Sequence, residues 1–158
     1  MKIEETSIIL PLPNEKDIAK QEGYWRVKLP IEYKDFVSKY NGAIPVENLF
    51  TVNFHEYVIE RFLCILEDSE NNSMGMYDID VVLSQIEERL TDNEDLVGVE
   101  LLPIASLFGG DFLCFNFKDR KDNPSVGVWK HDESSELEPI FFECSPGFSY
   151  FIDILTNR

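Results

Sequence analysis

Histidine is nearly missing from this chain: His55 and His131 are the only two, and they form no HExxH pair, so zinc hydrolysis lacks its usual ligands. Cysteine is almost as rare. Cys64, Cys114 and Cys144 make an odd total without CxxC spacing, each inside an apolar run, which disfavours a disulfide framework and predicts buried thiols. No apolar run approaches the roughly 20 residues of a membrane span. The opening MKIEETSIILPLP lacks the basic start and longer apolar core of a secretory signal. A soluble, cytoplasmic protein without a membrane partner is expected. Basic residues are the last shortage, 14 against 30 acids for a net charge of −16. A phosphate backbone would be repelled, which argues against nucleic acid as a direct ligand.

What is present is apolar and aromatic. Hydrophobic residues make up 44% and aromatics 13% of 158 residues, which suits a single domain over 1–158 with a core that needs no staples. The negative charge is uneven: residues 51–100 hold 13 acids and 2 bases, net −11. Such crowding favours a basic partner steered to one face.

The clearest local signal is Leu101–Glu133. The run Phe112 to Phe117 is apolar at nearly every position and is followed by the turn-rich KDRKDNP. Val126, Val128 and Lys130 then alternate with Gly127, Trp129 and His131. The two runs predict an antiparallel hairpin whose first strand is central and covered on both faces. Upstream, Asn14 caps a short helix expected to end before Gly23. Tyr33, Phe36, Val37 and Tyr40 recur at i, i+3, i+4, i+7 after Pro30, with Asn41-Gly42 as the stop, which predicts a helix over 31–40. Alternation of Phe50, Val52 and Phe54 predicts a strand over 49–55, and Arg61–Leu66 a second, buried one. Asp78 opens a helix with Ile79, Val82, Leu83, Ile86 and Leu90 on one stripe and an acidic outer face. Val97–Leu102 is expected to be extended before Pro103, and Ile140–Cys144 is the last strand. Ser145 and Pro146 are expected as N-cap and first residue of a closing helix that buries Phe148, Phe151, Ile152 and Leu155. The fold class expected is α+β, a mostly antiparallel sheet of about five or six strands with helices packed against it.

Motifs with chemical content are thin. The glycines of Gly109-Gly110-Asp111 precede a strand rather than a helix and lack a following GK[ST], so a tight turn with positive φ is favoured over a phosphate cradle. Asp78-x-Asp80 is not continued as a calcium loop. No nucleophile context surrounds any Ser or Cys, and the acids sit mostly in loops and on helix surfaces, a placement from which no desolvated carboxylate pair can be read. No catalytic residue, metal or cofactor is expected. Trp25, Trp129 and Tyr150 read as core or rim aromatics.

Three blocks carry a family resemblance. LPIEYKDFVSKYNGAIP (29–45), LLPIASLFGGDFLCFNF (101–117) and SPGFSYFIDIL (145–155) resemble, in order, the signatures of the SUKH superfamily, whose founding members include the yeast Smi/Knr cell-wall regulators. The resemblance implies a non-catalytic α+β domain. Bacterial members are largely immunity proteins that bind and block a cognate toxin, often a nuclease. Leu29, Phe36, Tyr40, Gly42, Gly109, Gly110, Asp111 and Phe148 are family positions assigned to the fold. A nuclease has a basic cleft, which an acidic protein is suited to cover. The expected partner is thus a cognate basic toxin, bound by a monomer or weak homodimer. Glu67, Asp68, Glu70, Glu87, Glu88, Asp92, Glu94 and Asp95 are the expected steering charges. The alternative is a regulatory protein-protein interaction scaffold resembling the yeast regulators.

Overall fold

A computed structural model describes residues 1–157. Its body is a six-stranded antiparallel meander, each strand pairing with the next: β3 (Leu49–Val52), β4 (His55–Phe62), β5 (Leu101–Leu107), β6 (Phe112–Asn116), β7 (Ser125–Trp129) and β8 (Phe141–Ser145). A separate pair, β1 (Ile3–Glu4) and β2 (Ile44–Pro45), closes the N-terminus onto the start of the sheet. The helices are α1 (Glu15–Trp25), α2 (Ile31–Tyr40), α3 (Ile79–Ile86) and α4 (Phe148–Thr156). The architecture is therefore α+β, with an antiparallel sheet and helices packed on it, as the patterning predicts.

The sheet is sandwiched. Side chains alternate across a strand, so Phe115 and Phe112 of β6 face opposite sides. Phe115 meets Tyr33 of α2 edge-on at 5.1 Å and Phe148 of α4 at 6.0 Å. Phe36 reaches Phe62 at 4.7 Å, and Phe151 reaches Phe50 at 5.2 Å. Each such ring pair adds about 0.5–1.5 kcal/mol to simple burial. On the other side Phe112 lies by Trp129, whose ring is capped by Arg89, just beyond α3. Trp129 Nε1 donates to Arg89 O at 2.9 Å. Leu113, Cys114 and Phe115 are fully buried, which makes β6 the doubly covered central strand expected.

Three details of the expected elements change. Gly23 does not stop α1; the helix runs on to Trp25 and turns at Arg26, which takes positive φ. Its start matches, since Asn14 and Asp17 form a reciprocal capping box. Pro103 lies inside β5 rather than before it, at a register shift between Pro103 and Ala105, the setting in which a strand tolerates proline. Ser145 ends β8, and Gly147 is the N-cap of α4; the Ser145 hydroxyl donates to Gly147 O instead.

The larger change is at residues 49–66. The alternation ends at Val52, because Asn53 and Phe54 both have positive φ and turn the chain between the paired residues Val52 and His55. That is the pattern of a type I′ hairpin turn. The second strand therefore begins at His55, and Leu63–Leu66 is a buried extended segment with one parallel bridge, Cys64 to Asp78. Asn41 anchors that segment. Fully buried, it accepts from Ile65 N at 2.8 Å through Oδ1 and donates from Nδ2 to Ile65 O at 3.1 Å and Ile9 O at 3.2 Å. Arg61 does the same for the N-terminal strap, donating to Gly42 O and Ser7 O.

Candidate functional site

In a meander, alternate connections fall at the same end of the sheet. Here the β3–β4 turn, the β5–β6 turn and the β7–β8 loop gather there, and the ladder confirms it: Ile59 pairs with Leu107, and Phe108 N donates to Val58 O at 2.9 Å. Between them opens a cleft of about 640 Å³, floored by Tyr57 and Asp111 and walled by Phe108, His131 and Asp132.

Asp111 organises this end. It is 5% exposed; one carboxylate oxygen accepts from Lys130 Nζ at 2.7 Å, the other from His131 N at 2.9 Å, and His131 Nδ1 lies 2.7 Å from the same oxygen. Burial acts to raise its pKa, but the hydrogen bonds from Lys130 and His131 outweigh it and hold the carboxyl below its ordinary value. Lys130 is raised in return by the hydrogen bond to Asp111. Gly109 and Gly110 form the expected tight turn, both with positive φ. A Cβ on Gly110 would also come within 3.2 Å of the His131 ring, so glycine lets the imidazole lie over the turn. Asp111, a family position expected to serve the fold, also fixes the shape of an exposed cleft.

Asp111, His131 and Asp132 bring potential ligand atoms within 4.8 Å of one another. The ammonium of Lys130 at 2.7 Å already neutralises Asp111, and a cation would meet its repulsion. The trio carries no metal assignment. Burial raises the thiols of Cys64 and Cys144 to about 12 and that of Cys114 upward as well, which removes the thiolate that nucleophilic chemistry needs.

The eight expected steering acids are all exposed, and the structure divides them. Glu67, Asp68 and Glu70 lie in the loop before α3, where Asp68 binds Asn71. Glu87, Glu88, Asp92, Glu94 and Asp95 lie beyond the C-terminus of α3. Asp92 is matched by Lys118 at 2.8 Å, whose hydrogen bond lowers its pKa. Glu87, Glu88 and Glu94 instead line one groove together with Glu136, a residue the sequence did not single out. No lysine or arginine lines that groove among the described residues. Loop 130–140 forms a common wall: His131 and Asp132 face the cleft, Glu136 and Leu137 face the groove. It is clipped in place by Leu137 N donating to Glu88 O at 2.8 Å and by Arg89 donating to the carbonyls of His131 and Ser134. Reasoning along the chain could not bring Glu136 to Glu88, since their proximity exists only once β7 and α3 are packed.

Comparison with known proteins bears on this end of the molecule. The family profile SUKH_6, described as SMI1-KNR4 cell-wall, matches residues 15–152. The chain belongs to this family. A relative of this SMI1-KNR4 protein is the SPbeta prophage-derived uncharacterized protein YokK of Bacillus subtilis (strain 168), 26% identical over 141 residues, spanning 83% of this chain and 68% of that protein. No solved structure matches significantly. The family match covers all four helices' starts and the whole meander, and it includes every residue of the cleft and groove. None of the helices among the described residues is long and apolar enough to cross a membrane.

Proposed function

We propose that this SMI1-KNR4 family member is a non-enzymatic immunity protein that neutralises a cognate toxin by docking its acidic groove on a basic surface. The observation that carries the reading is the groove itself, where Glu87, Glu88, Glu94 and Glu136 converge without a lining cation. Like charges held in a concavity focus the field outward, which speeds encounter with a cationic protein and repels nucleic acid. A nuclease fits as the partner class because its substrate cleft must be basic. Family membership supports the reading, and the prophage origin of the YokK relative suits a gene that travels with a toxin. Glu67, Asp68 and Glu70 form a second, outlying patch of the same field, Asp95 extends the first, and Asp92 contributes least because Lys118 neutralises it.

The test is co-purification with the protein encoded by the adjacent gene, followed by stopped-flow association at several salt concentrations. Replacing Glu87, Glu88, Glu94 and Glu136 by Gln should slow association roughly tenfold or more at low salt and flatten its salt dependence, with dissociation little altered. An unchanged on-rate would remove the groove from the mechanism. A partner encoded elsewhere and lacking toxicity would favour the regulatory scaffold.

A further inference from the structure

Phe54 is the least expected residue in the molecule. Its side chain is 102% exposed and its φ is +66°, a combination that neither packing nor backbone preference explains. The second central position of a type I′ turn is where glycine is favoured, because a bulky side chain there is strained. Strain that the fold does not need points to a use outside it. Phe108, 73% exposed, occupies the neighbouring β5–β6 turn. It lines the same cleft that Asn53 and His55, on either side of Phe54, also line. Single exposed rings are ordinary; two on adjoining hairpin tips at one end of the sheet, one lining the cleft and the other flanked by residues that line it, are not a scatter.

We infer that Phe54 and Phe108 are paired anchors that insert into an apolar recess of a basic protein partner, the cleft beside them receiving a lysine or arginine from the rim of that recess. This rests on the docking proposed above and names its second component. Charge complementarity selects the partner: Asp111, Asp132 and Glu133 line the cleft against Lys130, its one lysine or arginine among the described residues, and Lys130 is already paired with Asp111. A nucleic acid or an anionic membrane surface would be repelled. The two components divide the work, with the groove governing encounter and the aromatic pair governing residence, since buried aromatic anchors act mainly on dissociation.

The anchor role makes an unusual demand of Phe54→Gly. Glycine takes φ of +66° without strain, so the variant should melt higher than the parent while binding worse. The probe is a phage-displayed library of random 16-residue peptides, panned on the parent protein, with selected peptides then measured on F54G, F54G/F108S and the four-Gln groove variant. Expected are peptides combining Lys or Arg with aliphatic or aromatic residues, whose dissociation from F54G/F108S is at least tenfold faster, with F54G melting no lower than the parent. Basic peptides that bind F54G/F108S unchanged but lose the groove variant would overturn the anchors and leave the acidic docking intact. No enrichment, or enrichment of peptides without basic residues, would overturn the inference as well.

Discussion

Replacing Asn41 by Ala removes a side chain that staples two stretches of backbone to the end of α2. In the native state Oδ1 takes the Ile65 amide at 2.8 Å, while Nδ2 supplies the carbonyls of Ile65 and Ile9 at 3.1 and 3.2 Å. The site is closed to solvent, at 0% exposure. An orphaned buried N–H costs about 1–3 kcal/mol, and each carbonyl that loses its donor adds about 1 kcal/mol. The sum is about 3–5 kcal/mol, a large share of the roughly 5–15 kcal/mol by which a domain is normally stable. In urea, with a slope of about 2 kcal/mol/M, the unfolding midpoint of N41A should fall by about 2 M at unchanged slope. Asn71→Ala is the control: that residue is exposed, with a local bond to Asp68, and should move the midpoint little. A shift for N41A below about 0.5 M would show that the strap 9–11 and the segment 63–66 are held by apolar packing alone.

Asp111→Asn should cost about 1.5–3 kcal/mol near neutral pH, because charge-assisted bonds are exchanged for weaker neutral ones. The folded carboxyl titrates below its ordinary value, so its contribution is complete above the ordinary carboxylate range and is lost as pH falls through the lowered value. The Lys130 side, raised in the fold, fades only as pH climbs through its elevated value; urea midpoints of parent and D111N measured across pH should therefore differ by a constant amount in between, and a gap that persists in acid would refute the pairing. Gly23→Ala should raise stability by about 0.5–1 kcal/mol, since Gly23 is inside α1 and nothing lies within 4 Å of an added Cβ; a lower melting temperature would mean that the helix ends earlier.

Much of this architecture could be read along the chain where period and punctuation agree. The stripe of Tyr33, Phe36, Val37 and Tyr40 between Pro30 and Gly42 yields α2 almost to the residue. The apolar run of β6, followed by a charged turn, yields its hairpin with β7. Reading failed where a residue contradicts its usual role. Asn53-Phe54 turns the chain without the glycine that advertises a type I′ turn, so the apolar ring of Phe54 continues the strand alternation in sequence but not in structure. Pro103 sits in a strand because a register shift excuses its missing N–H. Acidity of the central third was plain from composition, but the groove was not, because Glu136 joins Glu87, Glu88 and Glu94 only through packing of distant segments. Asp111 was legible as a family position and invisible as a hub, since Lys130 and His131 reach it from the neighbouring strand's end.

Because every second connection of the meander surfaces at the same edge, the ladder of the sheet is insulated from whatever that edge must contact. At the tip at 53–54, at Phe108 and at the exposed positions of the loop at 132–138, side chains can be exchanged like fingertips while the palm, together with Asp111, Lys130 and the two turn glycines, keeps its hydrogen bonds. Under the docking proposed above, a lineage meeting changing partners would retune its grip by a few substitutions, with no need to find a new way to fold.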